Sequence, residues 1–139
     1  MSNKKILIID DDADLRRGLA ARLRANNYET AFAVDAVSAV SVAIRERPDL
    51  ILLDLGLPAG DGFIVMKRLQ NLAPLSGVPV FVVSAREPEA SEQRSLAAGA
   101  QRYFQKPVDI EGLLAAIADA FGEGEPPDIL KLITREKKP

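Results

Sequence analysis

Cysteine is absent from the 139-residue chain, and so are histidine and tryptophan. Without cysteine there are no disulfides, zinc-thiolate centres or thiol nucleophiles. Without histidine there are no imidazole metal ligands, no Ser-His triad and no phosphohistidine carried by this chain. Charge of one sign is not in excess, the formal net value being −2. The body holds no strongly basic run, which argues against nucleic acid as a direct ligand. Long apolar runs are missing as well. Only Ile6-Leu7-Ile8-Ile9 separates Lys4-Lys5 from Asp10-Asp11-Asp12, too short for a signal peptide or a membrane span. A cytoplasmic location with no membrane partner is the expectation. Apolar residues at 47% and charged residues at 27% match a globular domain of ordinary size that needs no staples.

Short apolar runs alternate with helical patterns. Ile6–Ile9, Leu50–Leu53 and Val80–Val83 are continuous and apolar, as strands buried on both faces of a parallel sheet are. Tyr28–Val34 and Gln101–Gln105 have mixed polarity, the mark of outer strands. Between them, Leu15, Leu19 and Leu23 recur every fourth residue. Ala36, Ala39, Val40, Ala43 and Ile44 form a helical stripe, as do Ile110, Leu113, Leu114, Ile117, Ala118 and Phe121. Asp61 reads as the N-cap of a further helix through Ile64, Met66 and Leu69. Pro88–Ala98 has one large apolar residue, Leu96, and is expected to be loosely held. Five β-α units predict an α/β fold with a parallel sheet and helices on both faces. Residues 122–139 open on Gly-Glu-Gly-Glu-Pro-Pro and read as a linker or a short helical tail.

Chemistry-bearing residues fall at or just after strand ends: Asp10-Asp11-Asp12, Asp54, Lys106-Pro107 and, at the end of the fourth strand, Ser84. In an open parallel sheet these positions share the carboxyl edge, where ligands bind at the topological switch point. Carboxylates about 5 Å apart repel by roughly 1–3 kcal/mol per pair. An all-oxygen set of this kind suits Mg²⁺, although a single aspartate there also serves as a helix cap, a role open to Asp12. Lys106 offers a compact cation for a phosphate oxygen, and the proline after it suggests a fixed turn, cis peptides included. Ser84 and Tyr103 taken singly read as a turn cap and a packing aromatic. Together, the acids with Mg²⁺ and Lys106 would neutralise a phosphoryl group on Asp54, a carboxylate being able to form an aspartyl-phosphate.

From Lys4 to Phe121 the sequence resembles the receiver domain of two-component response regulators. The resemblance rests on Ile-Leu-Ile-Ile-Asp10-Asp11-Asp12, Asp54-Leu-Gly-Leu-Pro58 with Asp61-Gly62, Val-Val-Ser84-Ala85, and Gly99-Ala-Gln-Arg-Tyr103-Phe-Gln-Lys106-Pro107. It implies a flavodoxin-like, doubly wound five-stranded sheet of order 2-1-3-4-5 with five helices over residues 4–121. It implies Asp54 as phosphoacceptor, and Asp11, Asp54 and the Gly56 carbonyl as direct ligands of Mg²⁺ (or Mn²⁺), with Asp10 holding metal-bound water. Lys106 would pair with the phosphoryl group, Ser84 would move toward it, and Tyr103 would rotate inward as the aromatic switch. The face of helix 4, strand 5 and helix 5 would change for a downstream partner or a fused output domain. The donor would be a phosphohistidine on a sensor kinase or phosphotransfer protein, and the chain a signalling phosphoacceptor rather than an enzyme. Gly56 and Arg86 occupy the positions that tune the lifetime of the phosphoryl group. Gly56 has no side chain to orient water and Arg86 is neither carboxylate nor amide, so intrinsic loss is expected to be slow.

Other classes compete. A receiver-like scaffold that takes no phosphate would be expected to lack Asp54 or Lys106. A flavin carrier would not place three aspartates by its phosphate loop. A Mg²⁺-dependent phosphatase of similar topology would want a second aspartate where Gly56 stands.

Overall fold

The computed structural model describes residues 3–123. Five strands, β1 (Lys5–Ile9), β2 (Glu29–Ala33), β3 (Leu50–Leu53), β4 (Val80–Ser84) and β5 (Arg102–Gln105), alternate with five helices. The helices are α1 (Ala13–Ala25), α2 (Ala36–Glu46), α3 (Gly62–Asn71), α4 (Pro88–Ala97) and α5 (Ile110–Ala120), with a 3-10 turn at Ala73–Leu75. All strand pairs are parallel and the order is β2-β1-β3-β4-β5. The parallel sheet is the one the β-α alternation predicts, and its strand order is the flavodoxin-like one that the resemblance implies. The three apolar runs are the three central strands, buried at nearly every position. The two mixed segments are the edges, where one side of the backbone has no strand partner to cover it.

Side-chain alternation along each strand builds two faces. Leu7, Ile9, Ile51, Leu53, Val80 and Val82 join one buried cluster with Ala39 and Ala43 of α2 and Val65, Met66 and Leu69 of α3. Ala31 and Ala33 of β2 face the same cluster. Phe32, between them, points the other way, and Arg16 of α1 lies over its ring at 5.8 Å. That contact puts α1, with Leu19, Ala20 and Leu23 buried, on the opposite side of the sheet from α2 and α3.

Helix ends are set by local chemistry. Asp12, Asp35 and Asp61 cap α1, α2 and α3, their carboxylates accepting backbone N–H groups of the first turn. Gly62 opens α3 against the β3–α3 loop so closely that a Cβ there would lie 2.5 Å from the Leu55 Cα. Only glycine permits that approach. Helix α4, expected to be loosely held for want of large apolar residues, has a polar buried face. Leu96, its one large apolar side chain, is 43% exposed, and Ser91 and Ser95 are what it buries. The helix is amphipathic around serine rather than around a hydrophobe.

The chain divides into two compact units at Asp109/Ile110. The first holds all five strands and α1–α4. The second holds α5, which buries Leu113, Ala116 and Ile117. It ends where Gly122 adopts φ 68° and the Glu123 N–H returns to the Ala118 carbonyl at 2.8 Å. The tail expected at residues 122–139 lies, from Gly124 on, outside the described residues.

Candidate functional site

β1 and β3 are neighbours in register, Ile9 beside Leu53, so the residue after each strand emerges side by side. Those residues are Asp10 and Asp54. The order β2-β1-β3 reverses direction there, and the crevice at this switch point is where an open α/β sheet binds ligand. The Asp54 N–H donates to the Ile9 carbonyl at 2.9 Å and the Asp10 N–H to the Ala33 carbonyl at 3.0 Å, which extends the ladder into the site.

Asp10 and Asp54 are both buried, while Asp11 is exposed. One oxygen from each lies within 4.8 Å of the others. The donor set is wholly oxygen and anionic, which fits a hard divalent cation. Lys106, delivered by the end of β5, places Nζ 2.8 Å from Asp10 Oδ2 and 3.5 Å from Asp54 Oδ2. Its peptide bond to Pro107 is cis. Burial pushes Asp10 above the usual carboxylate range, against the hydrogen bond from Lys106. Burial alone would lower Lys106, but the bond to Asp10 and the charges of Asp54 and Asp10 outweigh it and its pKa stands raised. The site is thus a desolvated anionic pair partly neutralised by one cation, with room in its charge balance for another.

Backbone donors fix the carboxylates. The Asp12 N–H donates to Asp10 Oδ1 at 2.9 Å and the Gly56 N–H to Asp54 Oδ1 at 3.1 Å. Asp12 meanwhile caps α1, so of the three consecutive aspartates two join the site and one serves the helix.

Ser84 ends β4 fully buried. Its Oγ accepts the Arg86 N–H at 3.1 Å, and its carbonyl accepts the Lys106 N–H at 2.8 Å. Tyr103 lies half-buried on β5, and its hydroxyl donates to the Arg86 carbonyl at 2.9 Å. Burial raises the Tyr103 phenol, opposed by the hydroxyls of Ser91 and Ser84. The two expected switch residues therefore meet the same residue of the β4–α4 loop.

Two contributors escaped the sequence reading. Arg16 donates Nη1 to the Asp10 carbonyl at 2.8 Å. Its position one turn into α1 was legible, but its target is set by tertiary packing. Phe63 receives Arg94 at 3.8 Å and Arg86 at 6.0 Å from its ring centre. An aromatic next to Asp61-Gly62 gives no sign from sequence that two guanidinium groups converge on it.

A flavodoxin-like parallel sheet with acids, a hydroxyl and a lysine gathered at its carboxyl edge defines a class of α/β domain with an anionic, cation-compatible site at its switch point. The particular family follows from likeness to known proteins. The family described as response regulator receiver domain matches residues 6–118. Response regulator MprA of Mycobacterium leprae is 35% identical over 124 residues, covering 89% of this chain and 54% of that protein. The transcriptional regulatory protein PrrA of Mycobacterium tuberculosis is 36% identical over 117 residues, covering 84% and 49%. The DNA-binding dual master transcriptional regulator RpaA of Synechocystis is 35% identical over 113 residues, covering 81% and 47%. The chain thus spans about half the length of these relatives. Among solved structures, chemotaxis response regulator CheY4 of Vibrio cholerae superposes with a TM-score of 0.78 at 27% identity, covering 85% of this chain and 98% of that one. The receiver domain of sensor histidine kinase PA1611 from Pseudomonas aeruginosa, which holds a magnesium ion in its active-site cleft, gives 0.79 at 26%, covering 87% and 99%. The chain belongs to the response regulator receiver domain family, a family of signalling domains in two-component systems. No helix among the described residues is long and apolar enough to cross a membrane.

Proposed function

We propose that the chain accepts a phosphoryl group on Asp54 from a phosphohistidine of a partner kinase or phosphotransfer protein. The observation that carries this reading is the convergence of Asp10, Asp11 and Asp54 within 4.8 Å, with Lys106 between the two buried carboxylates. An oxygen of the Asp54 carboxylate attacks phosphorus, the P–N bond breaks, and the imidazole leaves with the electron pair. Lys106 balances charge on the transferred group. Asp10, Asp11, Asp54 and the Gly56 carbonyl would hold Mg²⁺ or Mn²⁺, which when bound neutralises the equatorial oxygens. The magnesium ion in the active-site cleft of the similar PA1611 receiver domain supports the choice of ion.

Ser84, released from the Arg86 N–H, would turn to the phosphoryl oxygens. The loop that Tyr103 holds through Arg86 would move with it. Helix α4 and strand β5 would carry the change to a partner or to a fused output domain; the similar protein RpaA is named as DNA-binding. We place this activity in the cytoplasm, where soluble kinase domains supply phosphohistidine. The test is incubation with phosphoramidate, whose P–N bond matches that of the donor, with Mg²⁺ or with EDTA. A gain of one phosphoryl group in intact mass that needs Mg²⁺ is expected. No gain under either condition would favour a phosphate-independent scaffold.

A further inference from the structure

Arg86 is exposed on the β4–α4 loop, yet its guanidinium reaches back across the site edge. Nη2 donates to the Leu55 carbonyl at 3.3 Å, beside the Gly62 N–H, which reaches the same oxygen at 3.3 Å. The Leu55 carbonyl and the Gly56 N–H belong to one peptide plane. That N–H donates to Asp54 Oδ1 at 3.1 Å. The chain of contacts is therefore guanidinium, carbonyl, amide, carboxylate, with only one rigid unit between Arg86 and Asp54. A planar peptide cannot turn its oxygen without turning its N–H. A cation at the oxygen also polarises the unit and strengthens its donor end. Packing closes other routes of movement, because α3 begins so close to Leu55 that a Cβ at Gly62 would overlap it.

We propose that Arg86 is a positioning residue for Asp54, acting through the Leu55–Gly56 peptide to hold Oδ1 and to leave Oδ2 facing Lys106. This rests on Asp54 being the phosphoacceptor, and it differs from a role of Arg86 in the lifetime of the phosphoryl group. Arg86 also receives the Ser84 and Tyr103 contacts on its own backbone. One residue thus ties the acceptor's orientation to both switch side chains.

The test compares wild-type protein with Arg86→Ala, Arg86→Lys and Arg94→Ala. Arg94 shares the Phe63 ring but makes no hydrogen bond to the Leu55 carbonyl among the described residues, so it controls for loosening of the loop. The readouts are hydrogen exchange and chemical shift of the Gly56 amide, and the rate of phosphorylation by acetyl phosphate. Arg86→Ala should speed Gly56 exchange by about 3–10-fold, the weight of one modest hydrogen bond, and slow phosphorylation by a similar factor. Arg86→Lys should recover part of both, and Arg94→Ala should change neither. An unmoved Gly56 amide in Arg86→Ala would overturn the proposal, as would an equal change in Arg94→Ala. An amide that moves while the rate stays fixed would overturn it too. Failure of the wild-type protein to take phosphate would instead remove the acceptor role, leaving the amide result to judge the contact itself.

Discussion

Lys106 stands between two buried carboxylates that repel each other without it. Removing one partner of a buried ion pair leaves the other charge uncompensated, a loss of about 3–5 kcal/mol when burial is complete. The lysine side chain is 20% exposed, so Lys106→Met should cost about 1–3 kcal/mol in chemical denaturation. Added Mg²⁺ should shrink that deficit by replacing the lost positive charge, and a deficit unaffected by Mg²⁺ would argue against cation binding by the three aspartates. Because the raised pKa of Lys106 lies above 10.5, its contribution is full at neutral pH and is lost only as pH rises through that value. Gly56 makes a second case at this scale. A Cβ there would sit 3.8 Å from Asp54 Oδ1, an ordinary contact, so a side chain fits beside Asp54. Gly56→Asn should speed loss of the phosphoryl group several-fold by giving water a partner. Equal decay by intact mass in the variant and the wild type would reject that reading of the position.

At the scale of elements, the three central strands, both edges and all five helices were legible in the sequence. Apolar run length and helical period respond to burial on one or both faces. The meeting of Asp10, Asp11, Asp54 and Lys106 was legible because each follows a strand, and parallel strands bring such residues to one edge. Its internal wiring was not. Arg16 on the Asp10 carbonyl and Arg86 on the Leu55 carbonyl are long side chains whose targets depend on packing between distant segments. No local period encodes them. Helix α4 shows a different limit. The expectation of loose anchoring rested on the shortage of large apolar residues, Leu96 being the one present; the structure turns even Leu96 outward and buries Ser95, whose Oγ has no hydrogen-bond partner. An unsatisfied buried hydroxyl costs about 1–3 kcal/mol. Ser95→Ala should therefore stabilise the protein by about 1 kcal/mol and slow amide exchange within α4. A destabilised variant in urea titration would show that the hydroxyl is satisfied in solution.

For the whole molecule, folding and site are coupled through charge. The balance of 18 basic and 20 acidic residues leaves little net field, so pH dependence comes from particular carboxylates. Asp35, which caps α2, is lowered by its hydrogen bonds from the backbone and hydroxyl of Ser38. A depressed carboxylate adds stability that is present above its unfolded value of 3.8 and is lost as pH falls through the lower folded value. Asp35→Asn keeps a cap acceptor but does not titrate. Its melting temperature should fall less steeply than that of the wild type below pH 3.8, and parallel acid limbs would contradict this. On the proposed function the same coupling serves the site: a buried anionic edge whose carboxylates repel one another would take a cation and a phosphoryl group at that edge.

The central claim is that Asp54 is where that group arrives. The direct measurement is the intact mass of wild-type and Asp54→Asn protein after acetyl phosphate and Mg²⁺, followed by peptide mapping. The account predicts one added phosphoryl group, located on the peptide containing Asp54 and absent from the variant. An equal gain in Asp54→Asn, or a phosphoryl group mapped to Asp10 or Asp11, would contradict it.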